Sequence, residues 1–546
     1  MSGSVSRRAL LGGSAAALLA GVAAARPAHA SGPMLRRARD AQPGLVRDPH
    51  FANGVTAGVP RTDGITLWTR VTAEPAAVTP LREPALLVPN GPAAGDIGDL
   101  AVIVSRRADL SDPEVVTTVA VDPGADGTAR LEVSGLRPGE EYFYQFRGAG
   151  AESPTGRFRT LRPADSREPV RIGWFACQDF ASGYYGAHRL LGDEELDLVV
   201  CLGDYVYENS YPAGPRGTDL NLYPQTLDRM REKYRVHRSD PDLHYMHSRH
   251  AFVPIWDDHE FRNNYWSGGW TPGPLAEVDR LLSDFQQKKQ WAWQSWFEYM
   301  PVPRFSEDPL RTHRTLRLGR TVELFAPDVR RFRDVQGCGD SMRPVVCADA
   351  DDPARSMLGR AQADWLIDGI SESSAQWRVL ANANMMMGMV VADDGSRAWL
   401  DTWDGYGAER ARVLSAAAQR GPNLVVVTGD DHDAYAGELW DTGFAPGVTS
   451  GAQANTPGAR RAGVEFVVPS LTSPGTGHHD EEALRKGHNP HLRYANMATH
   501  GYGVLEAGAD EARFHFREVP IETPEPRTTS TVSFRVPSGT PALEPC

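Results

Sequence analysis

Side chains that could bind metal ions follow four apolar segments of the chain. The segments end in the sequences ACQD (176–179), GDYVY (203–207), WDDHE (256–260) and GDDH (429–432). Thiolate and phenolate ligands suit a highly charged transition metal such as Fe(III), whereas clustered carboxylates suit Ca²⁺ or Mg²⁺. Acidic groups held together away from water repel one another unless cations are present. The candidate donors are Cys177, Asp179, Asp204, Tyr207, Asp257, Asp258, His259, Asp430, Asp431 and His432.

Each motif has an ordinary structural explanation when it is considered alone. An Asp at a strand end commonly caps a helix or a turn, and a single cysteine such as Cys177 is commonly a buried core residue. His259 could satisfy a hydrogen bond inside the fold. Asn382 and Asn384 could contact a metal or a phosphate, or could hold their own loop. Four motifs that each follow an apolar segment favour a metal site over scattered caps and turns.

The elements that would position these motifs lie between residues 170 and 515. Short apolar runs such as VRIGWFA (170–176) and NLVVVTG (423–429) alternate there with helical patterns. Runs that are apolar throughout are typical of strands covered on both faces. The sequence therefore predicts a layered α/β domain over 170–515. Ligands of such folds bind at the carboxyl ends of the strands, so the four motifs are expected to converge.

The chain before residue 170 and after residue 515 has a different pattern. Short alternating runs over 45–162, separated by Pro, Gly and Asp, predict a β-sandwich domain. The segment GLRPGEEYFYQFR (135–147) resembles the end of an immunoglobulin-like or fibronectin-like module. The proline-containing stretch 159–169 is interpreted as a linker, and residues 516–546 as a C-terminal arm with one short strand.

Residues 1–30 have the composition of a twin-arginine signal peptide. Arg7 and Arg8 precede a stretch of Ala, Leu and Gly, and Ala28-His29-Ala30 offers a cleavage site. The alternative is an apolar helix of the mature fold. The signal predicts export by the twin-arginine machinery to a secreted, periplasmic or cell-wall location, where Cys338 and Cys347 could form a disulfide.

Charge and hydropathy exclude two classes of partner. The formal net charge is −13, and the 57 Lys and Arg are dispersed without a basic block. This distribution argues against a sequence-specific nucleic-acid partner. No apolar run after the signal is long enough to cross a membrane, so stable membrane insertion is not expected. At 546 residues, the chain is expected to hold one large domain and a smaller one.

Several longer segments extend the four motifs. They are FANGVTAGVPRTDGITLWTRV (51–71), ACQD (176–179), GDYVYE (203–208), IWDDHEFRNN (255–264), ANANMMMG (381–388), EFVVPSLTSPG (465–475) and THGYGVLE (499–506). On these segments the chain resembles the PhoD-type alkaline phosphatases and phosphodiesterases of the calcineurin-like metallophosphoesterase superfamily, which also includes phospholipase-D-like members. The likeness extends from residue 45 to residue 510. It implies a layered metallophosphoesterase sandwich with an N-terminal immunoglobulin-like or fibronectin-like β domain.

The resemblance implies a centre with two kinds of metal ion. Asp204 would bridge the ions, and Cys177 and Tyr207 would hold Fe(III). Asp258 and Asp430 stand where many relatives have Asn and His, and both therefore favour Ca²⁺. The implied ligands are Cys177, Asp204, Tyr207, Asp258, Asp430 and His432. Asp179, Asp257 and Asp431 are expected to contact these ligands rather than the metal ions.

The resemblance also implies residues that act on the substrate. His259 would donate a proton or a hydrogen bond to the phosphoryl group, and Arg189 and Asn264 are candidates for substrate contacts. One departure stands beside a ligand, because Asp431 replaces the small apolar residue that the family often has there. Its extra negative charge could repel phosphate or alter metal affinity.

The implied function is that of a secreted metal-dependent phosphoric ester hydrolase. Metal-activated hydroxide would attack the phosphorus of phosphate monoesters or diesters. One alternative within the same fold is a phospholipase-D-like diesterase that acts on lipid head groups. A second alternative is a binding protein whose α/β domain has lost its activity.

Overall fold

Strands outnumber helices in the part of the chain that the computed structural model describes, which is residues 44–72, 98–209, 214–217, 222–270, 284–339, 344–444, 458–475 and 487–546. In chain order the strands are β1 Val55–Gly58, β2 Gly64–Arg70, β3 Asp99–Ser105, β4 Val115–Ala120, β5 Thr128–Ser134, β6 Glu141–Arg147, β7 Gly156–Arg159, β8 Val170–Phe175, β9 Leu198–Cys201, β10 Ala251–Pro254, β11 Arg314–Leu318, β12 Val322–Ala326, β13 Trp377–Asn382, β14 Leu424–Thr428, β15 Ala434–Trp440, β16 Arg461–Val467, β17 Leu492–Asn496, β18 Gly501–Ala507, β19 Glu511–Glu518, β20 Ser530–Pro537 and β21 Glu544–Pro545. The α-helices are α1 Gly186–Asp193, α2 Leu227–His237, α3 Pro241–Arg249, α4 Phe285–Tyr299, α5 Arg360–Glu372 and α6 Gly407–Arg420. Shorter 3-10 helices are Pro123–Ala125, Gly337–Gly339, Ala348–Asp351 and Trp403–Gly405.

Three parallel strands, β8, β9 and β10, form the middle of a ten-stranded sheet. The strand order of that sheet is β21-β20-β19-β18-β8-β9-β10-β1-β2-β5. Both β9 and β10 are buried at every position, because their sequences LVVC and AFVP are covered on both faces. Parallel pairing places the carboxyl ends of β8, β9 and β10 at one edge of the sheet.

A second sheet of seven strands carries the remaining motif. Its order is β11-β12-β13-β14-β16-β15-β17, with parallel pairing from β12 through β13 and β14 to β16. All positions of β13 and β14 are buried. The carboxyl ends of these two strands lead into ANANMMMG and GDDH.

The two sheets pack face to face and helices cover their outer faces. Phe466 of β16 stacks on Phe514 of β19 with ring centroids 4.3 Å apart, and both belong to one continuous buried core. A second core packs the other face of the ten-stranded sheet against α1, α3 and α4, where Phe175 and Phe252 meet Met246 and Trp296. Helices α5 and α6 supply apolar side chains to the seven-stranded sheet. The layered α/β fold predicted from the apolar runs is confirmed.

The strands before residue 162 divide between two sheets. Strands β3, β4, β6 and β7 form a four-stranded antiparallel sheet, whereas β1, β2 and β5 extend the ten-stranded sheet. The connection is the parallel pair of β1 with β10, in which Ala57 lies opposite Ala251. A specific immunoglobulin-like or fibronectin-like topology for this region stays a prediction.

The C-terminal residues contribute more regular structure than the single short strand that we expected. Strand β20 pairs along its full length with β19, from Ser530 opposite Glu518 to Pro537 opposite Glu511, and β21 pairs with β20. The Pro- and Thr-rich composition obscured this strand, because its alternation is confined to the eight residues STVSFRVP. Cys338 and Cys347 form a disulfide. Among the described helices, none has the length and apolar character to span a bilayer.

Candidate metal centre

The four motifs meet where the carboxyl ends of the parallel strands of one sheet face those of the other sheet. Leu471 donates its backbone N–H to the carbonyl of Ala176 at 2.9 Å, which ties the segment after β16 to the loop after β8. A Cβ on Gly429 would lie 2.7 Å from the Ala176 Cβ. The loops after β8 and β14 are therefore in direct contact, as the strand-end argument predicted.

Left-handed backbone conformations occur at four of the six predicted ligands. Cys177, Asp204, Asp430 and His432 have φ angles of 56°, 54°, 66° and 68°. Such angles are uncommon for residues other than glycine, and they cluster at functional sites where the surrounding structure enforces them. Each angle turns a side chain sharply at the end of a strand. The shared conformation indicates that these loops are shaped to direct side chains to one place.

Asp204 stands at the centre of the assembled side chains. Its Oδ2 lies 3.4 Å from Cys177 Sγ and accepts a 3.0 Å hydrogen bond from the Tyr207 hydroxyl. The Tyr207 hydroxyl oxygen is also 3.2 Å from His432 Nε2. Donor atoms of Cys177, Asp204 and His432 lie within 4.8 Å of one another. This arrangement brings together the thiol and phenol that the resemblance implies as Fe(III) ligands and the imidazole that it implies as a further metal ligand.

A second group of donors shares Asp204 and consists of carboxylates alone. One oxygen each from Asp204, Asp257, Asp258 and Asp430 lies within 4.8 Å of the others. Asp257 thus belongs to the cluster itself, although the sequence places it behind the ligands. Two donor groups that share one carboxylate are the arrangement needed to hold two ions side by side.

The chemistry of the cluster fits metal ions. Burial raises the pKa of Asp204 despite the opposing charge of His259, and it raises the pKa of Asp257 despite that of Arg330. Burial and Asp258 raise the pKa of Asp430 to about 7. Asp258 Oδ1 is buried and has no hydrogen-bond partner within the described residues. Carboxyl groups whose ionisation is disfavoured, together with an unsatisfied carboxylate oxygen, indicate a site completed by cations.

His259 is oriented by a carboxylate. Its Nδ1 lies 2.6 Å from Glu208 Oε2, and its ring stacks on Tyr207 with centroids 4.2 Å apart. Burial alone would lower the pKa of His259, but Glu208, Asp258 and Asp204 raise it well above the usual range. Because Glu208 engages Nδ1, Nε2 is the ring nitrogen left to meet a ligand. The sequence did not single out Glu208, although it ends the GDYVYE segment.

The buried guanidinium of Arg330 contacts two carboxylates of the cluster. Arg330 Nε donates to Asp257 Oδ1 at 2.5 Å, and its Nη2 lies 3.5 Å from Asp258 Oδ2 and 2.8 Å from Asp401 Oδ2. Together with Asn264 and His259, Arg330 keeps the pKa of Asp258 low although burial alone would raise it. Neither Arg330 nor Asp401 follows one of the four motifs, so these contacts were not predicted from the sequence.

The remaining predicted residues fall at different distances from the cluster. Asn264 donates its backbone N–H to Asp258 Oδ2 at 2.7 Å and so borders the carboxylates. Asn384 Nδ2 donates to Asp430 Oδ2 at 2.9 Å, whereas Asn382 holds its own loop by donating to the carbonyl of Asn384. The structure does not bring Arg189 to the site. It is exposed on α1, where its guanidinium stacks 3.8 Å above the ring of Tyr245.

The three acidic residues expected behind the ligands have separate positions. Asp257 is in the cluster, as described above. Asp179 accepts hydrogen bonds from the Ala181 N–H and the Ser182 hydroxyl within its own loop. Asp431 is buried next to Asp430.

The layered α/β fold of this chain is also found in solved structures of other proteins. A purple acid phosphatase, PPD1 from yellow lupin (Lupinus luteus) seeds, shares the fold with a TM-score of 0.52 over 89% of this chain and 74% of that structure, at 10% identity. A structure described as "Structure of PhoD" superposes with a TM-score of 0.79, at 26% identity, over 92% of this chain and 93% of its own.

Sequence comparison then defines the family. The sequence model of the family described as "PhoD-like phosphatase" matches residues 172–516. The sequence model of the family described as "PhoD-like phosphatase, N-terminal domain" matches residues 38–162. Alkaline phosphatase D of Bacillus subtilis (strain 168) is 29% identical over 496 residues, covering 88% of this chain and 79% of its own length. The chain belongs to the PhoD-like phosphatase family. The resemblance inferred from the motifs, and the assignment as a phosphoesterase, are confirmed.

Proposed function

We propose that this phosphoesterase hydrolyses phosphate monoesters and diesters with a centre of Fe(III) and Ca²⁺ built around Asp204. The observation that carries the proposal is the overlap of two donor groups at Asp204, one with thiol, phenol and imidazole and one with carboxylates. The first group matches a transition metal and the second a hard cation with oxygen ligands.

Metal ions bound there supply positive charge to the phosphoryl oxygens and lower the pKa of a water that can attack phosphorus. The chain's own residues position the other participants. His259, held at Nδ1 by Glu208, directs its Nε2–H to a phosphoryl oxygen or to the leaving oxygen. Arg330 donates a hydrogen bond to Asp257 and Asn384 donates one to Asp430, so that the cluster is preorganised before substrate binds.

Hydrolysis of a panel of esters by the wild type and an Asp204→Asn variant tests this proposal. The panel contains an aryl phosphate monoester, a bis-aryl phosphate diester and a phosphatidyl ester. We expect the wild type to hydrolyse the two aryl esters and Asp204→Asn to hydrolyse neither. Asp364→Asn is the matched control, because Asp364 lies on α5 with 52% of its side chain exposed. Equal activity of Asp204→Asn and Asp364→Asn would overturn the proposal.

The same panel separates the two alternatives. Preference for the phosphatidyl ester over the aryl diester would favour the phospholipase-D-like function. Lack of hydrolysis of all three esters by a metal-loaded wild-type protein would favour a binding protein. The presence of candidate ligands at Asp204, Tyr207, Asp258 and His432 supports the hydrolase instead.

We also propose that the chain is exported through the twin-arginine route to the outside of the cytoplasmic membrane. Residues 1–30 lie outside the described residues, so the signal stays a prediction. The disulfide between Cys338 and Cys347 supports the proposal, because disulfides persist in oxidising compartments. Replacing Arg7 and Arg8 with Lys should leave the enzyme in the cytoplasm, as measured by cell fractionation. Unchanged export of that variant would contradict the route.

A further inference from the structure

A wide cleft lies along α4. Its volume is about 820 Å³, and it is bounded by α4, by β5 with the turn that precedes it, and by the segment after α4. None of the candidate metal ligands lines it. The cleft is therefore separate from the centre that the proposed function uses.

Two arginines line this cleft without forming an ion pair among the described residues. Arg130 and Arg304 both line it, and neither makes an ion pair with any residue in the described ranges. Arg130 Nη1 donates to the carbonyl of Phe297 at 2.9 Å, and the Arg304 guanidinium stacks 4.0 Å above the Phe297 ring. Burial lowers the pKa of Arg130, although the nearby carboxylates Glu132, Asp122 and Glu298 act to raise it. Burial and then the charge of Arg130 lower the pKa of Arg304. Both guanidinium groups thus contact the same residue, Phe297, and line one cleft, where a single anion could reach both.

The acidic groups that also line the cleft are already engaged. Glu298 accepts hydrogen bonds from Arg231 on both carboxylate oxygens, at 2.6 and 2.7 Å, and a further one from Gln294 at 2.8 Å. Asp122 Oδ1 accepts the backbone N–H groups of Gly124 and Ala125. Glu132 also lies near Arg130, but it is half exposed and pairs with Arg61 at 3.9 Å. None of these carboxylates forms an ion pair with Arg130 or Arg304, so both guanidinium groups can meet a ligand. The feature is local, because the chain as a whole carries a net charge of −13.

Aromatic and aliphatic side chains form the wall beside the arginines. Trp293, Phe297 and Leu310 line the cleft together with Val121 and Pro123. Trp293 is fixed in place, since it stacks on Trp256 with centroids 5.4 Å apart and its Nε1 donates to the Tyr265 hydroxyl at 3.3 Å. A pocket with an apolar wall and a few converging polar groups is the usual form of a small-molecule site.

We propose that this cleft binds a small organic anion, with a phosphate or carboxylate head group between Arg130 and Arg304 and its apolar part against Trp293 and Phe297. Guanidinium groups form charge-assisted hydrogen bonds with the planar carboxylate and with phosphate oxygens alike. The apolar wall selects ligands in which the anionic group is attached to a ring or a hydrocarbon chain.

Titration calorimetry of the metal-loaded enzyme with phenylphosphonate tests the site, because this probe has both parts of the ligand and no ester bond to hydrolyse. Benzoate and inorganic phosphate are the companion probes. Stronger binding of phenylphosphonate than of benzoate assigns the head group to phosphate, and the reverse assigns it to carboxylate. Weaker binding of inorganic phosphate than of phenylphosphonate at the arginine-dependent site would confirm the role of the apolar wall.

The variants assign the binding to the cleft. In Arg130→Gln/Arg304→Gln we expect the affinity of one class of sites to fall about tenfold to a hundredfold, because two charge-assisted hydrogen bonds are lost. Inhibition of ester hydrolysis by the same probe should be unchanged, since it reports on the catalytic centre. Arg107→Gln is the control, because Arg107 is a surface arginine with 64% of its side chain exposed. Should the double variant fail to fold, Arg304→Gln alone is the test, because an exposed side chain can be replaced without disturbing the fold. This single variant must then weaken binding.

Full retention of binding by the folded double variant, or by Arg304→Gln in its place, would overturn the proposal. So would binding that disappears only when the catalytic centre is disrupted by Asp204→Asn. Failure of the proposed function gives a different result, in which the arginine-dependent binding persists while no ester is hydrolysed.

Discussion

At the scale of single residues, the centre depends on how His259 is held. Glu208 engages Nδ1 at 2.6 Å, and the Tyr207 ring stacks on the imidazole. Both contacts fix the ring, and the first also determines which nitrogen can face a substrate. A hydrogen-bond donor that is fixed before reaction stabilises charge that grows in the transition state. A ring nitrogen of His259 also lies within 4.8 Å of oxygens of Asp204 and Asp258, so the catalytic role of His259 stays a prediction to be separated from metal binding.

Replacing His259 with Ala tests this role. We expect kcat to fall about 10²-fold, equivalent to ~3 kcal/mol of transition-state stabilisation, with metal content and Tm nearly unchanged. Glu208→Gln should give a smaller loss, because an amide can still accept a hydrogen bond from Nδ1–H but lacks the charge. Steady-state kinetics and metal analysis of both variants measure the effect. Loss of metal from His259→Ala would show that His259 is a ligand, and an unchanged rate would place the reaction elsewhere.

Tyr207 provides a spectroscopic test at the same scale. Its hydroxyl lies within hydrogen-bond distance of both Asp204 and His432. If the phenolate binds Fe(III), concentrated enzyme should absorb visible light through phenolate-to-iron charge transfer. Tyr207→Phe should lose this band, whereas Tyr245→Phe, at the surface of α3, should keep it. A colourless wild-type enzyme with full activity would contradict the assignment.

At the scale of elements, the turn after β9 sets how closely two of the loops approach. Gly203 has a φ of 110°, and a Cβ there would lie 2.5 Å from the Asp257 Cβ and 2.9 Å from the Asp257 nitrogen. Backbone atoms on a buried loop cannot move aside cheaply. Glycine is therefore required for the loops after β9 and β10 to bring Asp204 and Asp257 together.

Gly203→Ala and Gly135→Ala form a matched pair for this requirement. Gly135 also has a positive φ, 83°, but no atom lies within 4 Å of the Cβ it would gain. Gly135→Ala should reduce the free energy of unfolding by about 1 kcal/mol through backbone strain alone. Gly203→Ala should cost a further ~1–3 kcal/mol through overpacking and should lower metal content. Equal effects in urea denaturation would show that the loops do not need this close approach.

The sequence predicts a feature of these elements when the residues that form it are close together in the chain, and it does not predict specific contacts between residues far apart in the chain. The candidate ligands Cys177, Asp204, Tyr207 and His432 each stand within six residues of the end of an apolar strand, so nearby residues reveal them. Arg330 and Asp401 come from segments 71 residues apart and meet only in the folded chain. The pairing of β1 with β10 is similarly non-local, because Ala57 lies opposite Ala251. Alternation along β1 and β2 identifies strands but does not specify the sheet that they join.

At the scale of the whole molecule, buried neutral histidines link stability to pH. Burial lowers the pKa of His188 to about 3, and it lowers the pKa of His250 and His491 to about 4. His188 donates from Nε2 to Gln178 Oε1, and its Nδ1 is buried without a partner in the described residues. These rings are uncharged in the folded state at neutral pH, whereas the unfolded chain protonates them near the ordinary value of 6.5.

The free energy of unfolding should therefore fall as the pH drops below 6.5, because the unfolded state then binds more protons than the folded state. For His188 the loss continues down to its folded-state pKa of about 3. His188→Gln removes this contribution, so its loss of stability between neutral pH and about pH 5 should be ~2 kcal/mol smaller than that of the wild type. Urea denaturation at the two pH values measures the difference. Identical pH dependence in the two proteins would show that His188 does not titrate on unfolding.

The central claim is that the side chains assembled at Asp204 hold the metal ions on which ester hydrolysis depends. Metal analysis of the purified enzyme, combined with an aryl phosphate assay before and after chelation, tests it most directly. We predict that the wild type contains iron and calcium and that Asp204→Asn contains neither. We also predict that Ca²⁺ restores activity to the calcium-depleted enzyme better than Zn²⁺, because the second donor group consists of carboxylates. A fully active enzyme that contains no metal would contradict the account.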